Sequence, residues 1–192
     1  MSRFLFSRIS ATRHNQRSRS RRIAANAECL ESRNLLTGVV QSGVFVFVTP
    51  ASTGPNTAVV SYQSVNGVAK LDVNLNGVNN YFTQSQIGYV YYEGSGASGS
   101  QTFQNLTSVM TEAWGGSGSN LFEGGSREDV FFGGSGTNTF DAGTGFDEMI
   151  GGAGTNVYNE NSAGSGVIIT EGTSNTINTP TSSTSPVGYH VS

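Results

Sequence analysis

From Gly38 to Tyr92 the apolar positions come in short runs broken by turn residues. Val44-Phe45-Val46-Phe47-Val48 is a continuous β-branched and aromatic run stopped by Pro50, and Thr57 to Val65 resumes it. Such runs are short for helices and rich in side chains that suit a pleated surface, so they predict strands. Asn66-Gly67 and Asn76-Gly77 bracket Val68 to Leu75. Both central residues of a type I′ hairpin turn need positive φ, which Asn-Gly adopts at low cost. The pattern predicts an antiparallel meander of three strands, with a fourth at Ile87 to Tyr92.

Between Gly115 and Asn159 the pattern becomes a gapless nine-residue period: GGSGSNLFE, GGSREDVFF, GGSGTNTFD, AGTGFDEMI, GGAGTNVYN. A unit this short holds a tight turn and a very short strand, and only stacking on its neighbours buries its apolar side chain. The frame runs backward through LTSVMTEAW (106–114) and, across an insertion at Asn105, GASGSQTFQ (96–104). Forward, past an insertion at Glu160, it runs through NSAGSGVII (161–169) and TEGTSNTIN (170–178). The eighth positions are Phe103, Ala113, Phe122, Phe131, Phe140, Met149, Tyr158, Ile168 and Ile177, which we take as the inward-facing core.

The period resembles the G-G-x-G-x-D-x-U-x repeat of RTX (hemolysin-type) calcium-binding proteins, where U is a large apolar residue. The resemblance implies an all-β fold, a right-handed parallel β-roll (β-helix) solenoid. Each unit supplies one side of a flattened coil, so two units complete a turn. Odd units then build one sheet and even units the facing one. The N-terminal meander is expected to cap the open end, where a bare coil exposes its core and an unpaired edge. The expected organisation is a basic segment over 1–37, an antiparallel β cap over 38–95, the repeat β-roll over 96–178, and a flexible Ser/Thr/Pro tail over 179–192.

The resemblance also points to calcium, because in RTX repeats the sixth-position Asp and turn carbonyls hold the ion between stacked turns. That suits a hard cation wanting about 6 to 8 oxygen ligands. Sorted by parity, the sixth positions on the odd edge are Gln101, Asn120, Asn138, Asn156 and Asn175, a file of amides that predicts a hydrogen-bonded ladder. The even edge reads Thr111, Asp129, Asp147, Gly166. Two carboxylates on strands ~4.8 Å apart repel by roughly 3 kcal/mol at an effective dielectric of 20, and a bridging cation removes that penalty. Asp129 with Asp147 is therefore the expected calcium locus, of weak affinity; the other reading is a pair of solvated turn residues. Arg127 replaces the fourth-position glycine of its unit, putting a cation beside the locus and a side chain where the turn is expected to want positive φ.

Charge divides the chain. Eight of the ten basic residues lie in the first 33, leaving +6 there after Glu28 and Glu31, whereas the remainder carries −9. The basic arm ends in Leu30-Glu31-Ser32-Arg33-Asn34-Leu35-Leu36, which resembles the L-E-P-R-x-L-L segment near the amino terminus of many large secreted bacterial proteins, with Ser32 in place of the proline. The resemblance implies export or surface sorting; a basic tail with a short amphipathic helix is a compatible reading. Seven arginines before residue 23 suit nucleic acid or anionic lipid, but no aromatic interleaving follows, so nucleic acid is not an expected partner. No run approaches the ~20 apolar residues of a membrane span. Cys29 is the only cysteine and forms no internal disulfide.

His14 and His190 lie in the expected tails, so no histidine-based catalytic arrangement is expected in the body. Glu123, Asp141 and Glu148 are candidate carboxylates for glycoside chemistry, but they fall on outward positions of short repeats without cleft-forming insertions. Trp114, Tyr89, Tyr91 and Tyr92 are a candidate carbohydrate platform or the cover of a core end. The reading is a non-enzymatic structural and adhesion module, secreted or at the cell surface, with calcium at one edge and partners among cell-surface or extracellular-matrix components. The alternative is a carbohydrate-binding or vestigial polysaccharide-active solenoid.

Overall fold

In the computed structural model the described residues are 37–159, 165–170, 172–178 and 188–191; the basic arm with its L-E-x-R-x-L-L segment, most of the tail, and the side chain of Ile168 lie outside them. The described residues form two eight-stranded sheets and one 3-10 turn, Gln84–Gln86. The first sheet runs β1 (Gly38–Ser42), β2 (Phe45–Thr49), β6 (Tyr89–Glu93), β8 (Met110–Trp114), β10 (Asp129–Phe132), β12 (Phe146–Ile150), β14 (Ser165–Thr170), β16 (Gly188–Val191). The second runs β15 (Ser174–Asn178), β13 (Thr155–Asn159), β11 (Thr137–Asp141), β9 (Asn120–Glu123), β7 (Gln101–Asn105), β3 (Asn56–Val65), β4 (Val68–Leu75), β5 (Val78–Thr83).

The nonapeptides sort by parity, because each turn of the chain sends the next short strand to the opposite sheet. Asn120, Asn138 and Asn156 stand in register on the second sheet, as do Phe122, Phe140 and Tyr158. All these pairings are parallel, and each advances the chain by one coil of two units. The protein is an all-β solenoid.

The coil begins earlier than the nonapeptide frame. β2 pairs parallel with β6, and β3 pairs parallel with β7, so β2 and β3 are themselves one coil. Their connecting turn runs from Pro50 to Pro55, and with no glycine pair there the period is unreadable. The antiparallel cap is built onto this first coil, β1 on β2 and the meander β3-β4-β5 on the other sheet. Both hairpin turns have the paired positive φ expected of Asn-Gly, 52° and 77° at Asn66-Gly67 and 53° and 84° at Asn76-Gly77. The segment Ile87 to Tyr92, expected as a fourth meander strand, instead enters the first sheet as β6, parallel to both neighbours. The amides of Gly88 and Tyr89 donate to the Val44 carbonyl at 3.0 and 3.2 Å, which turns the chain into that sheet. At the other end, residues 188–191 of the expected flexible tail form β16, paired parallel with β14. An open sheet edge offers a row of backbone groups for such a strand.

Alternation fills the space between the sheets. Phe103, Ala113, Phe122, Phe131, Phe140, Met149 and Tyr158 are fully buried, and Ile177 packs against them partly exposed. The rings of Phe122 and Phe140 stack at 5.5 Å, and those of Phe140 and Tyr158 at 5.1 Å. Their ~4.8 Å strand spacing is close to the contact distance of aromatic faces, so each ring lies on the ring of the coil before.

The turns are as closely stacked as the strands. A Cβ built on Gly134 would lie 1.6 Å from the Gly116 carbonyl oxygen, and one on Gly152 would lie 1.8 Å from that of Gly134. Neither glycine has a positive φ, so here glycine serves close approach and not backbone freedom. Gly134→Ala should cost about 2 to 4 kcal/mol, because the clash is with rigid backbone. Gly96→Ala, with nothing within 4 Å of its Cβ, should change stability by less than about 0.5 kcal/mol. Chemical denaturation of both variants measures the difference, and equal costs would remove turn spacing as the constraint.

Candidate functional site: the two turn edges

On the odd edge the sixth-position side chains point inward beneath the turns. Asn120, Asn138 and Asn156 are buried. In each turn the side chain replaces a strand partner for the backbone four residues earlier. Oδ1 of Asn120 accepts from the Gly116 amide at 3.1 Å and Oδ1 of Asn138 from the Gly134 amide at 3.0 Å. Nδ2 of Asn120, Asn138 and Asn156 donates back to Gly116, Gly134 and Gly152 carbonyls at 3.0, 2.9 and 3.1 Å. The remaining capacity joins the coils: Nδ2 of Asn120 donates to Oδ1 of Asn138 at 2.7 Å, Asn138 to Asn156 at 2.8 Å, and Asn156 to Asn175 at 2.9 Å.

Gln101 departs from this file. It stands in register with Asn120, but its extra methylene carries the amide to Tyr92, whose hydroxyl donates to Oε1 at 2.5 Å, while Nε2 donates to Gly99 and Ser100 carbonyls at 3.0 and 3.1 Å. The motif returns one coil earlier at Asn56, which stands in register with Gln101. There Nδ2 donates to the Ala51 carbonyl at 2.9 Å and Oδ1 accepts from the Ala51 amide at 3.0 Å and from Nδ2 of Asn76 at 2.9 Å. Sequence reasoning missed Asn56. The available signal was Gly54 two residues before it, the spacing of Gly118 to Asn120 and Gly136 to Asn138.

The even edge carries charge in the same place. Asp129 stands in register with Thr111, and the β10–β12 pairing of Val130 with Glu148 sets Asp147 beside Asp129. The Asp129 amide donates to Asp147 Oδ1 at 2.9 Å. Neither carboxylate is a solvated turn residue, with Asp129 0% and Asp147 1% exposed. Oδ2 of Asp129 accepts from the Gly125 amide at 2.7 Å, the same turn closure that Asn provides across the coil. Its Oδ1 accepts from the Thr111 hydroxyl and from Nδ2 of Asn105 at 3.1 Å.

Asn105, which the period shows only as an insertion, organises the turn beneath. Its Oδ1 accepts from the Thr107 amide at 3.0 Å and hydroxyl at 2.7 Å, and its Nδ2 donates also to the Val109 carbonyl at 2.8 Å. Burial pushes the Asp129 carboxyl above its ordinary value, and the bonds from Thr111, Gly125 and Asn105 oppose that rise. Arg127 does not strain the turn. Among described non-glycine residues only Asn66 and Asn76 have positive φ; at the equivalent position Gly118, Gly136 and Gly154 do not have it, whereas Gly145, one coil on at the same edge, does, at 139°.

The donors around Asp129 are neutral, and the oxygens available at this edge, from carboxylates, a hydroxyl and turn carbonyls, are of the hard type that calcium takes. The Asp129 carboxylate meets hydrogen bonds from the Thr111 side chain and backbone, the Gly125 backbone and the Asn105 side chain. The set fits calcium with Asp129 and Asp147 as its charged ligands. Among the described residues no cluster of three or more His, Cys, Asp or Glu side chains gathers, so the two carboxylates would rely on neutral oxygens.

Other candidate residues are dispersed. Glu123 and Asp141 are neighbours on the outer face of the second sheet, whereas Glu148 is on β12 of the first. Tyr89, Tyr91 and Trp114 share the outer face of the first sheet, but Tyr92 points into the core and is fully buried.

Residues 114–149 and 132–159 match the family model of the RTX calcium-binding nonapeptide repeat, a model of four copies. The stretch from Trp114 to Asn159 is thus similar to RTX calcium-binding nonapeptide repeats. No curated protein and no solved structure matches the chain.

Replacing Asn138 by Asp tests the amide file. The substituted oxygen would face the Gly134 carbonyl and Asn156 Oδ1, to which Nδ2 now donates. The charged form is disfavoured in the folded state, so the folded pKa rises above the unfolded value of about 3.9. Stability of Asn138→Asp should be highest below that value and fall as pH rises through the folded pKa. Melting between pH 3.5 and 8, compared with the parent, reads this; parallel pH profiles would show that Asn138 is not a rung.

Proposed function

We propose that this chain is a structural and adhesion module, secreted or held at the cell surface, whose solenoid stands on its amide edge and takes calcium weakly at Asp129 and Asp147. The carrying observation is the buried pair of carboxylates in adjacent coils, with only neutral donors on Asp129. Two such charges repel by roughly 3 kcal/mol, and a divalent ion offsets both the repulsion and the burial of charge. The odd edge needs no ion because its amides already donate to the turn carbonyls. The resemblance of residues 30–36 to the segment of secreted bacterial proteins supports an extracellular setting, where millimolar calcium suits a site with Kd of ~10⁻⁴ to 10⁻³ M.

The double variant Asp129→Asn with Asp147→Asn tests the calcium reading. The parent should melt higher in millimolar calcium than in chelator, by the linkage term RT ln(1 + [L]/Kd), about 1.4 kcal/mol at tenfold Kd. The variant should lose that difference and be at least as stable as the parent in chelator. Equal melting shifts in calcium and chelator would remove calcium from this edge.

A further inference from the structure

The two outer faces of the solenoid carry different chemistry. Over the repeats of the second sheet the outward rows mix polar and aliphatic residues and hold no ring, Thr102-Leu121-Thr139-Val157 and Gln104-Glu123-Asp141-Asn159, and its exposed rings Tyr62 and Tyr81 lie apart in the meander. Across the first sheet they read Phe45-Tyr89-Met110, Phe47-Tyr91-Glu112-Val130-Glu148 and Glu93-Trp114-Phe132-Ile150. One coil geometry supports both faces, so stacking does not require these aromatics. Phe45 and Phe47 remain 44% and 42% exposed. A concentration of apolar side chains on one face marks an interaction surface.

Three features define what fits there. Glu93, Glu112 and Glu148 lie among the rings, Glu128 adjoins them before β10, and no strand of the first sheet contains Lys or Arg. The Glu112 carboxylate is held in place from both sides: the Tyr89 hydroxyl donates to Oε2 at 2.8 Å and the Trp114 indole to Oε1 at 2.7 Å. Each oxygen keeps a free acceptor position. Trp114 and Phe132 stack at 3.9 Å and 12°, so each covers one face of the other. A sugar ring needs an open aromatic face to lie on, and this stack takes one face from each ring, whereas the alkyl stem of a long cationic side chain packs along apolar side chains with its head on the carboxylates.

We propose that the outer face of the first sheet binds an extended arginine-rich segment of a partner protein, with guanidinium groups on Glu112, Glu93 and Glu148 and their stems along the aromatic rows. Guanidinium forks match carboxylates bidentately, and these charge-assisted bonds are the strong ones. A second copy of the face would instead oppose carboxylate to carboxylate. The inference uses no residue of the calcium edge, so its failure leaves the calcium reading intact.

The test is fluorescence anisotropy of labelled octa-arginine with the full chain, against octa-glutamate and cellohexaose as probes. Octa-arginine should bind, and added salt should weaken it. Glu93→Gln with Glu112→Gln should weaken it at least about tenfold, while the charge-matched pair Glu123→Gln with Asp141→Asn on the other face should change it less than about twofold. Glu128→Gln with Glu148→Gln is the second first-sheet pair, with the same expected direction, should the first pair fail to fold. No octa-arginine binding, equal weakening by pairs on both faces, or Trp114-dependent binding of cellohexaose would overturn the proposal.

Discussion

The whole body depends on one spacing. Parallel strands repeat at about 4.8 Å, and every group on the coil must tolerate a copy of itself at that distance. Strand backbone does so by pairing, aromatic side chains by stacking face on face. A turn has no ladder of its own, so it must nest in the turn before it. The approach of Gly134 to the Gly116 carbonyl leaves no volume for a side chain. Glycine at Gly134 and Gly152 is thus a consequence of strand spacing, joined at Gly143 and Gly145 by a positive φ, and Arg127 stands over a turn organised by Asn105 and not by a glycine pair.

The same spacing decides what sits beneath the turns. A sixth-position side chain must close its own turn and also meet its image one coil away. An amide does both, since it donates and accepts: Asn138 closes on Gly134 and still reaches Asn120 and Asn156. A carboxylate closes the turn equally well, as Asp129 does on Gly125, but it cannot donate to its image. The first coil below Asp129 answers with donors, Thr111 and Asn105, and the coil above meets it with another carboxylate. The asymmetry between edges is therefore one of donor supply. Where a second Asp follows the first, the link between coils is made by backbone instead, the Asp129 amide donating to Asp147 Oδ1.

The sequence made the coil legible because nine residues is both the repeat and the half-turn, so parity alone assigns a residue to a sheet. Eighth-position aromatics and sixth-position amides are large or distinctive enough to be followed through weak units. What stayed hidden lies where the chain leaves that period. β2 and β3 form a coil with a proline-bounded turn, so Asn56 does a rung's work under an unrecognised spacing. Asn105 looks like an interruption because an inserted residue breaks the count, although its side chain wires two coils together. Gln101 occupies a rung position, and only the placement of Tyr92 shows where its longer amide goes. Which sheet receives Ile87 to Tyr92 depends on a long-range bond to Val44 that no local pattern encodes.

Inner and outer faces are under different rules, which is why function is easier to seek outside. Inward positions are fixed by stacking: they must be apolar at the eighth place and hydrogen-bonding at the sixth, whatever the protein does. Outward positions need only tolerate repetition, and polar and aliphatic residues do that in the repeats of the second sheet. The outward rings of the first sheet satisfy the same spacing by stacking, as Trp114 and Phe132 do, yet they are tied by Tyr89 and Trp114 to a carboxylate that the fold has no need of. Partial burial and the neighbouring Glu112 and Glu93 raise the Tyr89 and Tyr91 hydroxyls above their ordinary range, and each hydroxyl donates to its carboxylate. The result is a face on which the Glu112 carboxylate is oriented in advance by the Tyr89 hydroxyl and the Trp114 indole, so a further polar contact there calls for a donor from outside the fold.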